Sequence, residues 1–189
     1  MKKYILPAII LLVLGCKKKN VPPTYAIESF PQRVVMAMEI PNDNTFYDYF
    51  SAQGTVVRRA AVEKNDAAVE RLFASAHAPD CVWIAMVENN LVYFQLESAS
   101  SIYMKAVPNR LSDEYLLVAS TKSNDNAHLF KRHFLRSDNG ARVVALESVM
   151  YPNYYLSREG VLGENNSIKL VQKADPKDAK EIRWYGRIM

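Results

Sequence analysis

A short pattern recurs along this chain of 189 residues and limits its fold more than any other feature. Leu96-Glu97-Ser98 returns as Leu146-Glu147-Ser148 fifty positions later, and each copy closes a stretch in which apolar residues alternate. A weaker copy stands upstream, with Glu39 in the place of the other two glutamates. Similar segments spaced by about 50 residues indicate a fold built from repeated units.

Each copy ends the first of four strand-like segments that together make one unit. They begin near Val34, Phe46, Val56 and Val82 in the first unit, near Val92, Ile102, Tyr115 and Leu129 in the second, and near Arg142, Tyr154, Ile168 and Ile182 in the third. Apolar residues within them alternate, so Val34, Met36 and Met38 share one face and the glutamates point the other way. Three such units bury their apolar faces by packing around a pseudo-threefold axis. The sequence therefore predicts an all-β fold, a β-trefoil, in which six strands close a barrel and three hairpins cap it.

The first unit is longer than the others, and its extra residues predict a helix at 66–76. Four apolar residues fall at i, i+3, i+4 and i+7 and make one stripe: Val69, Leu72, Phe73 and Ala76. Asp66 is the expected N-cap, and Pro79 follows the expected end. We expect the stripe to plug an open end of the barrel. The alternative is that the helix and residues 78–80 form a partner surface.

The third unit carries a family resemblance. Its segment Leu146–Ser157, with Arg183-Trp184-Tyr185 near the end of the chain, resembles the closing repeat of interleukin-one-type trefoils. It is also similar to the repeats of fascin-like trefoils and of arabinose-binding modules. The resemblance implies the trefoil fold and no particular activity, because proteins of very different function share the motif. The Gln-x-Trp motif of ricin-type sugar sites is absent, since neither Trp83 nor Trp184 has Gln two positions earlier.

The N-terminus predicts an export signal. Lys2 and Lys3 precede an apolar run, Tyr4–Leu14, which is too short to span a bilayer and has the length of a signal-peptide core. The run leads into Gly15-Cys16, which resembles the bacterial lipoprotein box. The resemblance implies a signal peptide at 1–15 and a lipidated Cys16, which begins a linker at 16–24. The repeated units then predict a single trefoil domain at 25–189.

The residues after Cys16 bear on location. Lys17 stands where an Asp retains many lipoproteins in the inner membrane, so the resemblance implies an outer-membrane protein held by lipid. Lys17-Lys18-Lys19 also replace the acidic residues that often follow the Cys of surface-exported lipoproteins. The periplasmic leaflet is therefore favoured slightly over the cell surface.

Charge and motifs exclude several functions. The formal net charge is +4, but five of the 24 basic residues precede Asn20, which leaves 19 against 20 acidic residues in the remainder. A nearly neutral domain argues against DNA or RNA as a partner. No nucleophile elbow, zinc-protease motif or phosphate loop occurs, and neither a cofactor nor a metal is indicated. Cys81, beside Val82 and Trp83, is expected to be a small buried residue.

Two groups remain as candidate ligand-binding residues. The first is a basic stretch, Lys131, Arg132 and His133, which suits an acidic glycan or phosphate, or is simply a solvated strand. The second is aromatic. Tyr151, Tyr154 and Tyr155 can stack on sugar rings or anchor a protein, although about half of them should face the core.

The repeated glutamates have two interpretations. They could form a carboxylate cluster for acid/base work, but their repetition favours an outward position on each unit, held by local hydrogen bonds. The sequence therefore predicts a non-enzymatic binding module whose loops contact another envelope protein. The alternatives are a glycan-binding module and, third, an enzyme with a site built from loops.

Overall fold

The computed structural model describes residues 30–40, 43–53, 56–138, 141–157, 168–179 and 181–188. The predicted signal peptide at 1–15, the lipidated Cys16 and the linker at 16–24 lie outside these residues. The described part contains no helix that is both long and apolar enough to cross a membrane.

The described residues form twelve strands in three units of four. The first unit has β1 (Gln32–Glu39), β2 (Phe46–Gln53), β3 (Val56–Glu63) and β4 (Trp83–Glu88). The second has β5 (Leu91–Leu96), β6 (Ala99–Pro108), β7 (Tyr115–Thr121) and β8 (Phe130–Asp138). The third has β9 (Ala141–Ser148), β10 (Tyr154–Ser157), β11 (Lys169–Gln172) and β12 (Ile182–Ile188). Every predicted strand segment coincides with one of them.

Strand pairing closes a barrel. The strands β1, β4, β5, β8, β9 and β12 pair antiparallel in a complete ring, in which β1 meets both β4 and β12. The remaining strands form three hairpins, β2–β3, β6–β7 and β10–β11, and β7 pairs with both β3 and β11. This arrangement is the predicted β-trefoil, with six barrel strands and three capping hairpins.

Alternate residues of β1 pack into two separate apolar clusters. Val34, Met36 and Met38 point into the barrel, where they join Trp83 and Trp184 in the main apolar cluster. Apart from Arg33 and Glu39, the other face of the strand is also apolar. There Val35 and Ala37 contact a second cluster, so β1 is buried on both sides.

The helical insertion supplies the second cluster. Helix α1 (Asp66–Phe73) places Val69 and Phe73 against the outer face of β1 and β2, rather than in an end of the barrel. The expectation of a barrel plug is therefore wrong. The helix is also three residues shorter than predicted, and its N-cap is Asn65, whose side chain accepts a hydrogen bond from the Ala68 amide at 2.7 Å.

A second short helix was missed by the sequence pattern. Helix α2 (Ala78–Cys81) has Pro79 in its first turn, where a missing N–H costs no helical hydrogen bond. Pro79 therefore begins a helix instead of following one. Cys81 is fully buried under the second cluster, and burial raises the pKa of its thiol to about 11, as suits a small packing residue.

Candidate functional site

The repeated glutamates are each held by a cation or a histidine. Arg183 donates to Glu39 at 3.2 Å, Arg33 makes a forked ion pair with Glu97, and His133 lies 2.7 Å from Glu147. Because each carboxylate has its own partner, the three do not form one cluster suited to acid/base chemistry. Glu39 and Glu147 each tie two neighbouring barrel strands together, whereas Glu97 ties the turn after β5 to β1.

Glu147 has the most elaborate environment of the three. One of its oxygens contacts His133 Nε2, and the other accepts a hydrogen bond from the Asn153 amide at 2.9 Å. Lys131 Nζ lies 3.7 Å away. Burial opposes ionisation, but the Asn153 amide, His133 and Lys131 together hold the pKa of Glu147 below its ordinary value. An ionised Glu147 thus fixes the turn that leads from β9 to β10.

That turn carries two of the three predicted tyrosines to the surface. Tyr151 and Tyr154 are half-buried and meet Tyr115, which begins β7, with ring centroids 4.0 Å and 4.7 Å from it. We call Tyr115, Tyr151 and Tyr154 the tyrosine cluster. No described residue forms a hydrogen bond with any of its three hydroxyl groups. The cluster rests on the main core and turns its outer edge to solvent.

The third predicted tyrosine has a different position. Tyr155 is 2% exposed and packs against Ala145 and Ala179, with its ring 5.6 Å from that of His133. Alternation explains this, because neighbouring residues of a strand face opposite sides. Tyr155 is a packing residue and offers no surface to a ligand.

A polar network borders the tyrosine cluster. The buried Lys105 donates to Ser123 Oγ at 2.6 Å, and this hydroxyl donates to Asp125 at 2.6 Å. The Asp125 charge contributes to the raised pKa of Tyr151, after burial and the neighbouring Tyr115. Asp125 is itself exposed, and its pKa is lowered chiefly by the Ser123 hydroxyl. The Asp125 carboxylate therefore lies within electrostatic range of Tyr151.

The predicted basic stretch is divided between two faces of β8. Lys131 and His133 lie on the side of Glu147, whereas Arg132 stacks its guanidinium over Phe30 and Trp184, at 5.2 Å and 5.8 Å from the ring centroids. The three side chains thus do not form a continuous basic patch. Lys131 is the most exposed of them, with 60% of its side chain accessible.

Sequence reasoning missed Tyr115, Asp125 and a cleft. The cleft holds about 600 Å³, and its described lining includes residues 38–40, 43 and 44 on one side and 177–179 and 181 on the other. The sequence carried a local signal for Asp125, because Asp is a typical N-cap residue before a short helix. In the structure its carboxylate accepts a hydrogen bond from the Ala127 amide. The cleft had no such signal, since its walls come from opposite ends of the chain.

Comparisons with known proteins identify the fold. No protein-family model and no curated protein matches this sequence. Among solved structures, a mosquitocidal holotoxin is similar over 83% of this chain, with a TM-score of 0.56 and 9% identity. This chain spans only 17% of that toxin.

Two smaller proteins match over nearly their whole length. The ricin B-like lectin of Macrolepiota procera, solved in complex with lactose, covers 85% of this chain and 97% of its own, with a TM-score of 0.51 and 13% identity. The designed threefold-symmetric protein ThreeFoil covers 80% and 96%, with a TM-score of 0.54 and 6% identity. At such low identity these likenesses show the fold alone: the chain is a β-trefoil.

Proposed function

We propose that this protein is a non-enzymatic carbohydrate-binding module and that the tyrosine cluster is its binding surface. The main observation is that three half-buried phenol rings meet at one point of the surface, and that no described residue forms a hydrogen bond with their hydroxyl groups. Sugar rings present apolar C–H faces and many hydroxyl groups, so a ligand of this class matches both the rings and their hydroxyls.

The border of the cluster suits the same ligand. Asp125 offers carboxylate oxygens as acceptors for sugar hydroxyls, and the Ser123–Lys105 network holds it in place. The turn that presents Tyr151 is fixed by Glu147, so its ring is largely ordered before binding, which reduces the entropic cost of association. The complex of the Macrolepiota procera lectin with lactose supports the choice, because that protein uses the same fold for a sugar.

A glycan array tests this proposal. The full-length chain, purified in detergent and labelled, is expected to bind a subset of immobilised glycans. Tyr154→Ala is expected to reduce the signal about five- to thirtyfold, since loss of one stacked ring removes roughly 1–2 kcal/mol of contact. Tyr154→Phe keeps the ring and separates the contribution of the hydroxyl.

The matched control is Tyr93→Ala. Tyr93 is also half-buried and also lies in an aromatic group, with Tyr103 and His128, but it is not part of the tyrosine cluster. Its removal is expected to leave glycan binding unchanged. An array without signal, or equal losses in Tyr93→Ala and Tyr154→Ala, would reject the tyrosine cluster as a sugar site.

Acidic glycans form a separate arm of this experiment. Lys131→Ala removes the most exposed cation of the basic stretch. If the array selects sulfated glycans and Lys131→Ala abolishes their binding, the ligand surface lies on β8 and the tyrosine cluster is not responsible.

A second candidate function, contact with an envelope protein, is favoured by Phe134. A bulge in β8 between Phe134 and Arg136 disturbs the pairing with β9, and the Phe134 ring is 57% exposed with the Arg142 guanidinium 5.6 Å from its centroid. Exposed aromatic and arginine side chains are frequent anchors of protein interfaces. In-cell crosslinking that captures one envelope protein with the wild type, and loses it with Phe134→Ser, would favour this candidate.

We also propose that the module is carried on lipid at the outer membrane, facing the periplasm. The lipoprotein-like Gly15-Cys16 and the following lysines support this proposal. Metabolic labelling with a palmitate analogue, followed by membrane fractionation, is expected to mark the wild type in the outer membrane. Cys16→Ser is expected to lose the label, and an unchanged label would refute lipidation at this residue.

A further inference from the structure

A buried histidine lies near the end of the connection between β7 and β8. His128 is the last residue of a short 3₁₀ helix, Asn126–His128, and is 4% exposed. Its ring meets the rings of Tyr93 and Tyr103 edge-to-face, with centroids 6.0 Å apart in both pairs. No described residue forms a hydrogen bond of normal geometry with either ring nitrogen. A polar ring is thus packed among aromatic side chains with both nitrogens unsatisfied, which is uncommon in folded proteins.

The fold does not require a buried residue at this position. The third unit has a corresponding 3₁₀ helix, Pro176–Asp178, and an aspartate caps each of the two helices, Asp125 at 3.1 Å and Asp175 at 2.8 Å. The residue that corresponds to His128 is Asp178, which is exposed. A buried titratable ring therefore distinguishes the second unit from the third.

The surroundings of the ring favour its uncharged form. Four charged side chains lie near this connection, two of each sign: Lys122, Lys105, Glu88 and Asp125. Lys122 pairs with Glu88 at 3.8 Å. Burial chiefly, and the Lys122 charge next, lower the pKa of His128, while the two carboxylates and the Asp125 backbone counter the shift in part. The ring is therefore neutral near pH 7, and a proton on it would be a poorly solvated charge.

The connection that contains His128 also carries one border of the tyrosine cluster. Lys105 donates to the Ser123 hydroxyl, which donates to Asp125. The Asp125 charge in turn reaches Tyr151. Because Ser123, Asp125 and His128 lie on one short connection, a displacement of the histidine ring also disturbs this border.

From these observations we propose that His128 is a pH-sensitive latch: its neutral ring holds the connection at 122–129 against Tyr93 and Tyr103, and its protonation releases the connection together with Asp125. In its effect on glycan binding, the latch rests on the function proposed above, because acid then weakens the binding surface by removing one of its borders.

The direction of the pH effect follows from proton linkage. A released ring is solvated and takes up a proton at the ordinary histidine pKa, near 6.5, whereas the packed ring resists protonation. The released state therefore binds more protons than the latched state below about pH 6.5. Its population rises by up to about tenfold for each pH unit, until the lowered pKa of the packed ring is reached.

Hydrogen exchange of the full-length, nitrogen-15-labelled chain at pH 7.5 and pH 5.5 tests the latch without any ligand. The reporters are the amides of Ala127 and Leu129, which are hydrogen-bonded within the connection. Their protection, corrected for the intrinsic exchange rate at each pH, is expected to fall about three- to tenfold at pH 5.5. The amides of Lys177 and Ala179, in the corresponding connection of the third unit, are expected to keep their protection.

Substitutions of histidine identify the titrating group. His128→Phe keeps a ring and removes the titration, so the protection of Ala127 and Leu129 is expected to be the same at both pH values. His128→Leu is the second variant if the phenyl ring prevents folding. His77→Gln changes an exposed histidine outside the connection and is the matched control, which is expected to respond as the wild type does. Tyr93→Ala leaves the His128 ring uncharged at pH 7.5, so glycan binding there is expected to stay unchanged.

The outcomes decide the latch and its link to binding separately. Unchanged protection in the wild type, or a fall that persists in the His128 variants, would overturn the latch. A fall shared by Lys177 and Ala179 would also overturn it, because that result reports loss of the whole fold.

The glycan array, repeated at both pH values, tests the link to the tyrosine cluster. Binding by the wild type is expected to drop at least threefold at pH 5.5, and binding by His128→Phe is expected to stay constant. Constant binding by the wild type would overturn the link. An array without signal at either pH would reject the sugar site alone, because hydrogen exchange decides the latch by itself.

Discussion

The first and third units solve the same structural problem in two ways. In each unit, one backbone amide in the loop after the first strand donates to a carboxylate. The amide belongs to Thr45 in the first unit and to Asn153 in the third. In the first unit the acceptor is Asp43, two residues away from Thr45. In the third it is Glu147, six residues away, which also binds His133. One turn is capped locally and the other is tied to the barrel.

This difference shows how repeated units can diverge in the side chains that hold corresponding turns. A local cap leaves Glu39 on the surface, with 52% of its side chain exposed and Arg183 as its partner. Glu147 caps its turn from strand β9 and is buried there, with 11% of its side chain exposed. The second unit differs more. In the first and third units, Arg183 and His133 lie opposite the residue two positions before the glutamate, and each binds that glutamate. In the second unit this position holds Ile84, and Glu97 is bound by Arg33 instead.

The largest expected effect tests what the two units share. Tyr47 and Tyr155 are 7% and 2% exposed and occupy corresponding positions. Replacement of either by Ala is expected to lower the free energy of unfolding by about 3–5 kcal/mol, because each leaves a large cavity. Urea unfolding followed by fluorescence measures both, and a loss below about 1 kcal/mol at one site would show that the two positions are not equivalent.

The next effect separates the glutamates. Glu147→Ala is expected to lower the free energy of unfolding by about 2–3 kcal/mol, because it removes the charged acceptor of the Asn153 amide. Glu39→Ala is expected to lower the free energy of unfolding by less than about 1 kcal/mol, as is usual for an exposed ion pair. The same urea titration compares them, and equal losses would contradict the distinction between a local and a strand-supplied cap.

The dependence of stability on pH below 6 tests the contribution of Glu147 further. The pKa of Glu147 is lowered in the folded protein, so its ionised form stabilises the fold above the ordinary carboxyl pKa, near 4.3. This contribution is lost as the pH falls through the lowered value. The difference in unfolding free energy between the wild type and Glu147→Gln is therefore expected to shrink from pH 6 to pH 3. A difference that stays constant over this range would be inconsistent with a lowered pKa.

The smallest effect concerns individual amides. Asp43→Ala removes the acceptor of the Thr45 amide and is expected to speed its hydrogen exchange roughly two- to tenfold, which corresponds to one net hydrogen bond. The Asn153 amide is expected to keep its rate in this variant and to exchange faster in Glu147→Ala. Faster exchange at both amides in either variant would mean that the two turns are coupled.

Much of the architecture was predictable from the sequence, since alternation and turn residues are local properties. The Leu-Glu-Ser repeat located the units, and the alternation around Met36 identified the barrel face. The helix boundaries were less accurate, because Asn65 competes with Asp66 for the cap and Pro79 fits the first turn of a helix as well as a helix end. The prediction of one basic group at 131–133 was wrong because neighbouring residues of a strand face opposite sides.

The candidate site was only partly predictable. Tyr151 and Tyr154 were identified from composition, but Tyr115 joins them only because β7 pairs with β11.

By itself the sequence determined the units, the strands and the alternation that divides core from surface, because these depend on neighbours along the chain. The tertiary structure decided which residues meet: Arg183 with Glu39, Tyr115 with Tyr151, and the two walls of the cleft. The cleft exists because β1 pairs with β12 and brings the first and last units together. Contacts between such distant segments depend on how the barrel closes, and no local pattern specifies that.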